Sequence, residues 1–216
     1  MKKILYLLAI AVLSFSCSNF LDVVPKDQQT AEQLYSTKAG FYTAANGIYD
    51  GLASDELYGA HMTWEAIDIM AKRYSTTEAS LEFRDLSSNN YTSLYVSPIL
   101  TEIWQKAYEL ILAANLLIDE VDQQSGLLSE DEADILRGEM LAVRAFLHLD
   151  MLRLFGPRGE DNPEALSIPY NESTAVTTLP LLPFNEVMEK IIRDLNEAET
   201  LLINDPVIAN GSMASE

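Results

Sequence analysis

Residues Gly138 to Gly156, GEMLAVRAFLHLDMLRLFG, constrain the fold of this chain more than any other stretch. At the helical step of about 100° per residue, Leu136, Met140, Val143, Leu147, Met151 and Leu154 form one apolar stripe. Gly138, Leu141, Ala142, Ala145, Leu149 and Leu152 form a second stripe on roughly the opposite side. The polar residues are squeezed into two strips between them, Arg137, Arg144 and His148 in one and Glu139, Asp150 and Arg153 in the other. A helix apolar on two faces must be packed on both, and the small residues of the second face let one neighbour come close. The expectation is an inner helix of a stacked, all-α array.

The N-terminus reads as a processing signal rather than as part of the fold. Lys2 and Lys3 precede the apolar run Ile4 to Leu13, and Ser14, Phe15 and Ser16 lead to Cys17, the single cysteine of the 216 residues. Such a run is too short to span a bilayer. One cysteine excludes an intrachain disulfide, and its position is that of the residue acylated in a bacterial lipoprotein. Cys17 is therefore the expected lipid attachment site, residues 1–16 the signal peptide and residues 17–29 an extended leader. Leu13 stands four residues before Cys17 where a lipobox usually has its aliphatic residue at three. The formal charge of −19 repels nucleic acid and anionic headgroups, so no nucleic-acid partner is expected and membrane contact falls to the lipid.

Helical signals start at Thr30, which makes a capping box with Gln33 and is followed by Phe41, Ala44, Ala45, Ile48 and Leu52 at helical spacing. Met62 to Arg73 predicts a second helix, in which Trp64 could be core or exposed platform. Tyr74 to Ser97 reads as a long loop, yet it carries Tyr74, Phe83, Tyr91 and Tyr95. Ser97 and Pro98 predict the start of a long helix with an apolar stripe from Trp104 through Tyr108 to Val121. There Trp104 and Tyr108 read as core and Asn115 as a buried hydrogen-bonding group. Ser129 and Glu132 form a capping box for the helix that runs through Gly138 to Gly156. Arg158 to Pro180 is a second loop, whose Glu160, Asp161 and Glu164 lack calcium-site spacing and read as a solvated turn. A last amphipathic helix follows Pro183, with Phe184, Val187, Ile191, Leu195, Ala198 and Leu202 on one stripe.

Chemistry-bearing motifs are sparse. His61 and His148 are the only histidines, and neither joins a nucleophile, a metal-ligand spacing or a glycine-rich phosphate loop. His148, beside Arg144 in a packed helix, reads as a satisfied structural histidine. No cofactor, metal site or catalytic residue is assigned, although the many carboxylates leave a glycoside hydrolase open as a minor alternative.

CSNFLDVVPKDQ, NGIYDGL, WQKAYELILAANLLIDEV, RGEMLAVRAFLHLDMLRLFG and the IPY turn together resemble the SusD/RagB family of surface lipoproteins of Bacteroidota. The resemblance implies a tetratricopeptide-like α-superhelix with long inserted loops. It also implies an outer-membrane, surface-exposed protein that binds oligosaccharide or polysaccharide and delivers it to a SusC-like TonB-dependent transporter, without cleaving bonds. Loop aromatics and polar groups usually make such contacts, so Tyr74, Phe83, Asn89, Asn90 and Tyr91 are the candidate ligand-binding residues. Family members are commonly more than twice as long, so residues 30–216 are expected to be the N-terminal part of an incomplete array. A protein–protein scaffold of an outer-membrane complex is the alternative.

Overall fold

The computed structural model describes residues 30–76, 79–124, 126–158 and 162–206, and Cys17, Glu160 and Asp161 lie outside them. The chain divides into two compact units at Ser36 and Thr37. In the first, Thr30 closes its capping box with Gln33, each backbone N–H bonding the other side chain at 3.2 Å. That box opens only a four-residue helix, α1 (Ala31–Leu34). The long helix expected to continue from it has its own start, because Thr37 accepts from the Gly40 N–H and caps α2 (Lys38–Leu52).

The second unit contains α2, two short helices α3 (Ala66–Met70) and α4 (Leu81–Ser87), and three long ones. These are α5 (Val96–Gln123), α6 (Glu130–Phe155) and α7 (Phe184–Leu201), followed by a 3₁₀ turn at Leu202–Asn204. They pack in the order α2, α5, α6, α7. Among the described residues there is no strand, only an isolated bridge between Leu166 and Pro183.

The register of the stack can be read from side-chain pairs. Along α6, Arg137, Arg144, His148 and Phe155 meet Asp122, Asn115, Tyr108 and Trp104 of α5, so the two helices run antiparallel. Arg137 and Arg144 likewise meet Glu197 and Asp194 of α7, which again descends as α6 ascends. Both stripes of α6 are covered: Leu136, Met140, Leu147 and Met151 are buried on one, Gly138, Leu141, Ala145 and Leu152 on the other. At Gly138 a Cβ would stand 2.8 Å from Leu202 Cγ and 3.1 Å from Leu201 Cβ, so the hydrogen is what lets the end of α7 seat. Gly138→Val is expected to destabilise the fold by about 2 kcal/mol through overpacking, measured by chemical denaturation.

Two expectations change. The helix expected over Met62 to Arg73 shrinks to α3, because residues 54–64 wind into consecutive turns around Gly59. A Cβ there would meet Ala53 O at 2.5 Å, and Trp64 Nε1 donates to the Gly59 carbonyl. Trp64 itself is exposed. The loop expected from Tyr74 to Ser97 contains α4, capped by Ser80 and anchored through buried Leu86. Seven residues with one buried position are too short to produce a recognisable period.

Both short helices end in the same way. Lys72 and Asn89 adopt left-handed φ of 59°. Lys72 N–H bonds Ile69 O and Arg73 N–H bonds Asp68 O, while Asn89 N–H bonds Leu86 O and Asn90 N–H bonds Asp85 O. These are paired Schellman closures, and Asn tolerates the left-handed position better than most residues.

The polar strip of α6 that faces both α5 and α7 holds a buried network. Arg144 donates to Asp194 Oδ2 at 2.6 Å and to Asn115 Oδ1 at 2.9 Å. Asn115 Nδ2 donates to the Asn171 and Ser173 carbonyls, and Tyr170 OH donates to Asp194 at 2.6 Å. His148 Nδ1 lies 2.8 Å from Arg144 O, a contact that only a protonated Nδ1 can make favourable, and Nε2 accepts from Asn171 N–H at 3.0 Å. The Tyr170 ring stacks on His148 at 3.9 Å. Asn115, Arg144 and His148 are thus structural, and they fasten the loop before α7 onto the stack.

Candidate glycan-binding cleft

Three elements converge at the C-terminal end of α6. The turn after α4 brings Asn89 and Tyr91, the α3 region brings Met62, Ile67 and Met70, and α6 brings Asp150, Arg153 and Leu154. Together they line a cleft of about 430 Å³, within the range of small-ligand sites. Tyr91 is 52% exposed, so its ring has a face open to solvent. The Schellman turn explains how the segment gets there: once Asn89 reverses the chain, Ser93 Oγ donates to Asp85 Oδ2 and accepts from Tyr95 N–H, and this pins the loop.

Asp150 is the anchored acid of the site. It is buried, its Oδ2 accepts from Tyr58 OH at 2.9 Å and its Oδ1 accepts from Arg153 Nη1 at 2.9 Å. Burial first, and then the Asp150 charge, push the Tyr58 hydroxyl well above the ordinary tyrosine range, so it remains a donor. Tyr58 is held by stacking on Phe146 at 5.1 Å. The Arg153 side chain is 73% exposed at the mouth of the cleft. This gives an apolar wall of methionine and isoleucine, an open aromatic face, an amide, and a carboxylate and guanidinium whose charges cancel. Such a set can stack on a sugar ring and bond its hydroxyls.

The five candidate loop residues separate. Asn89 and Tyr91 line the cleft, whereas Tyr74, Phe83 and Asn90 lie outside it. Tyr74 OH donates to Asp68 Oδ2 at 3.3 Å, Phe83 sits in the first turn of α4, and Asn90 Oδ1 accepts from Thr92 Oγ1 at 3.4 Å. Asp150 and Arg153 escaped sequence reasoning because they read as one polar strip of a scaffold helix. Met62, Ile67 and Met70 carried no sequence signal of their own, because they fell inside a segment read only as a second helix. Glu164, the described member of the acidic turn, is exposed and accepts from Asn185 Nδ2 at 2.8 Å. Among the described residues no helix is long and apolar enough to cross a membrane.

Antiparallel helices stacked in sequence order, with a loop-built cleft at one end of the inner helix, define a tetratricopeptide-like helical scaffold. A family model described as starch-binding and associating with the outer membrane, SusD-like, matches residues 19–210, and the chain belongs to this family. It is 26% identical over 196 residues to the SusD-like protein P38 of Formosa agariphila, covering 90% of this chain and 36% of that one. It is 24% identical over 147 residues to the SusD-like protein P25 of the same organism, covering 66% of this chain and 28% of that one. The chain therefore spans about a third of the length of the curated relatives it matches. A crystal structure of a SusD-like carbohydrate-binding protein from Bacteroides vulgatus superposes with a TM-score of 0.64 at 23% identity, covering 78% of this chain and 36% of that one. The family model and the Bacteroides vulgatus structure are described by binding rather than by catalysis.

Proposed function

We propose that this protein captures oligosaccharide at the outer-membrane surface, held there through acylated Cys17, and passes it to a SusC-like TonB-dependent transporter without cleaving it. The observation that carries the reading is the open Tyr91 ring beside Asn89, Asp150 and Arg153, in a chain whose family is described as starch-binding. A neutral glycan suits the site better than a polyanionic one. The cleft's carboxylate and guanidinium neutralise each other, and the chain as a whole carries −19.

Calorimetry against neutral and uronate polysaccharides tests this directly. Binding is expected for a neutral member, with no release of reducing sugar. Tyr91→Ala should weaken it about tenfold, the loss of one aromatic stacking contact. Absence of binding to every glycan, or a Tyr91→Ala variant that binds unchanged, would remove the assignment. Cys17→Ser should release the protein from the membrane fraction, and affinity purification of the anchored protein should bring down a TonB-dependent transporter.

A further inference from the structure

We infer that the binding site does not end at Tyr91: a second cleft that Tyr91 also lines extends it into a track for a linear, neutral oligosaccharide of three or more sugar units. This rests on the glycan-binding reading of the first cleft. The second cleft holds about 290 Å³, and Tyr91 forms a wall of both. The two are also adjacent on α6, where Leu154 lines the first and Phe155 the second.

The second cleft has the composition of a sugar subsite. Trp104 and Phe155 are half-buried within it, and Trp104 is immobilised by Phe155 at 5.0 Å and 86° and by Tyr108 at 4.6 Å and 34°. A ring already fixed in place loses little freedom when a sugar face stacks on it. Along the same helix Ser97, Thr101 and Gln105 follow one another at four-residue steps, so they share one face, and all three are exposed. Thr101 Oγ1 donates to Ser97 O at 2.8 Å, which leaves its oxygen lone pairs as acceptors for a sugar hydroxyl. The Gln105 amide adds both donors and an acceptor. Periodicity alone reads Trp104 as core. In the structure it is only half-buried and shares the cleft lining with Tyr91.

A chain lying in both clefts must cross Tyr91, placing one unit in each cleft and one against the shared ring. Affinity should therefore grow with chain length beyond what one cleft can hold. The test is calorimetry with malto-, laminari- and xylo-oligosaccharide ladders from monosaccharide to heptasaccharide. For a ladder that binds, pentasaccharide affinity is expected to exceed disaccharide affinity by about tenfold. In Gln105→Trp, which fills the second cleft from its exposed rim, that ratio should fall to about one. Thr101→Ala, which keeps the cleft open but removes a hydroxyl, should lower the ratio about threefold. Thermal unfolding of each variant checks that the stack is intact. Affinity that levels off at the disaccharide, or a ratio unchanged in Gln105→Trp, overturns the track while leaving the first cleft standing. No binding to any ladder overturns both.

Discussion

Arg144→Met is expected to destabilise the protein by about 3 kcal/mol in chemical denaturation, one of the largest effects of any single substitution in the described residues. Arg144 is buried between α5 and α7, and its guanidinium is the donor that satisfies both Asn115 Oδ1 and Asp194 Oδ2. Methionine fills much of the volume but leaves the fully buried Asp194 without its closest cation. Burial by itself raises the Asp194 pKa. The hydrogen bonds from Arg144, Tyr170 and Arg193 outweigh that and keep its pKa below the ordinary value. With Arg144 gone, Tyr170 and Arg193 remain as partners, which is why the expected loss sits at the lower end for a broken buried pair. Arg144→Met combined with Asp194→Leu should recover much of the loss, because no buried charge is then left unpaired. If the single variant were as stable as the parent, the network would not be a structural lock.

The second large effect is a loss of stability in mild acid through His148. Burial lowers its pKa from 6.5 to about 4, against the contact with Arg144 O, which works in the opposite direction. The folded state therefore resists a proton that the unfolded chain accepts. The contribution is fully present above the unfolded value of 6.5, declines as pH falls, and is exhausted near pH 4, where both states are protonated. That interval corresponds to roughly 3 kcal/mol. The structure supplies the reason: Nε2 accepts from Asn171 N–H, and a proton there would set donor against donor. Asp194, whose pKa is lowered from 3.8, loses its contribution only below that value, so the two windows are separable. Denaturation midpoints measured from pH 7 to pH 4 should fall in the parent and stay nearly flat in His148→Gln. A parallel decline in both would assign the acid sensitivity to carboxylates instead.

Both effects converge on the same segment. Asn171 and Ser173 belong to the loop before α7, and their backbone groups bond Asn115 and His148. The strip that sequence periodicity left between the two apolar stripes of α6 is thus a polar seam that orders an irregular connection, while the opposite strip ends in Asp150 and Arg153 at the cleft.

What the sequence by itself determined is local. The two stripes of α6, the capping box at Ser129, the stop at Gly156 and the small face at Gly138 follow from spacing and residue type and have their expected counterparts in the structure, whereas the Thr30 box forms but opens only the short α1. Only the tertiary structure decided that Asp194 sits against Arg144 and that Asn89 and Tyr91 share a cleft with Asp150 and Arg153. The physical reason is range. A helical period or a cap depends on residues three or four apart, which any sequence window contains. The seam joins elements through groups 23 to 58 residues apart, and the cleft rests on Tyr58 and Asp150, 92 residues apart, brought together only when the antiparallel register of α5, α6 and α7 is set.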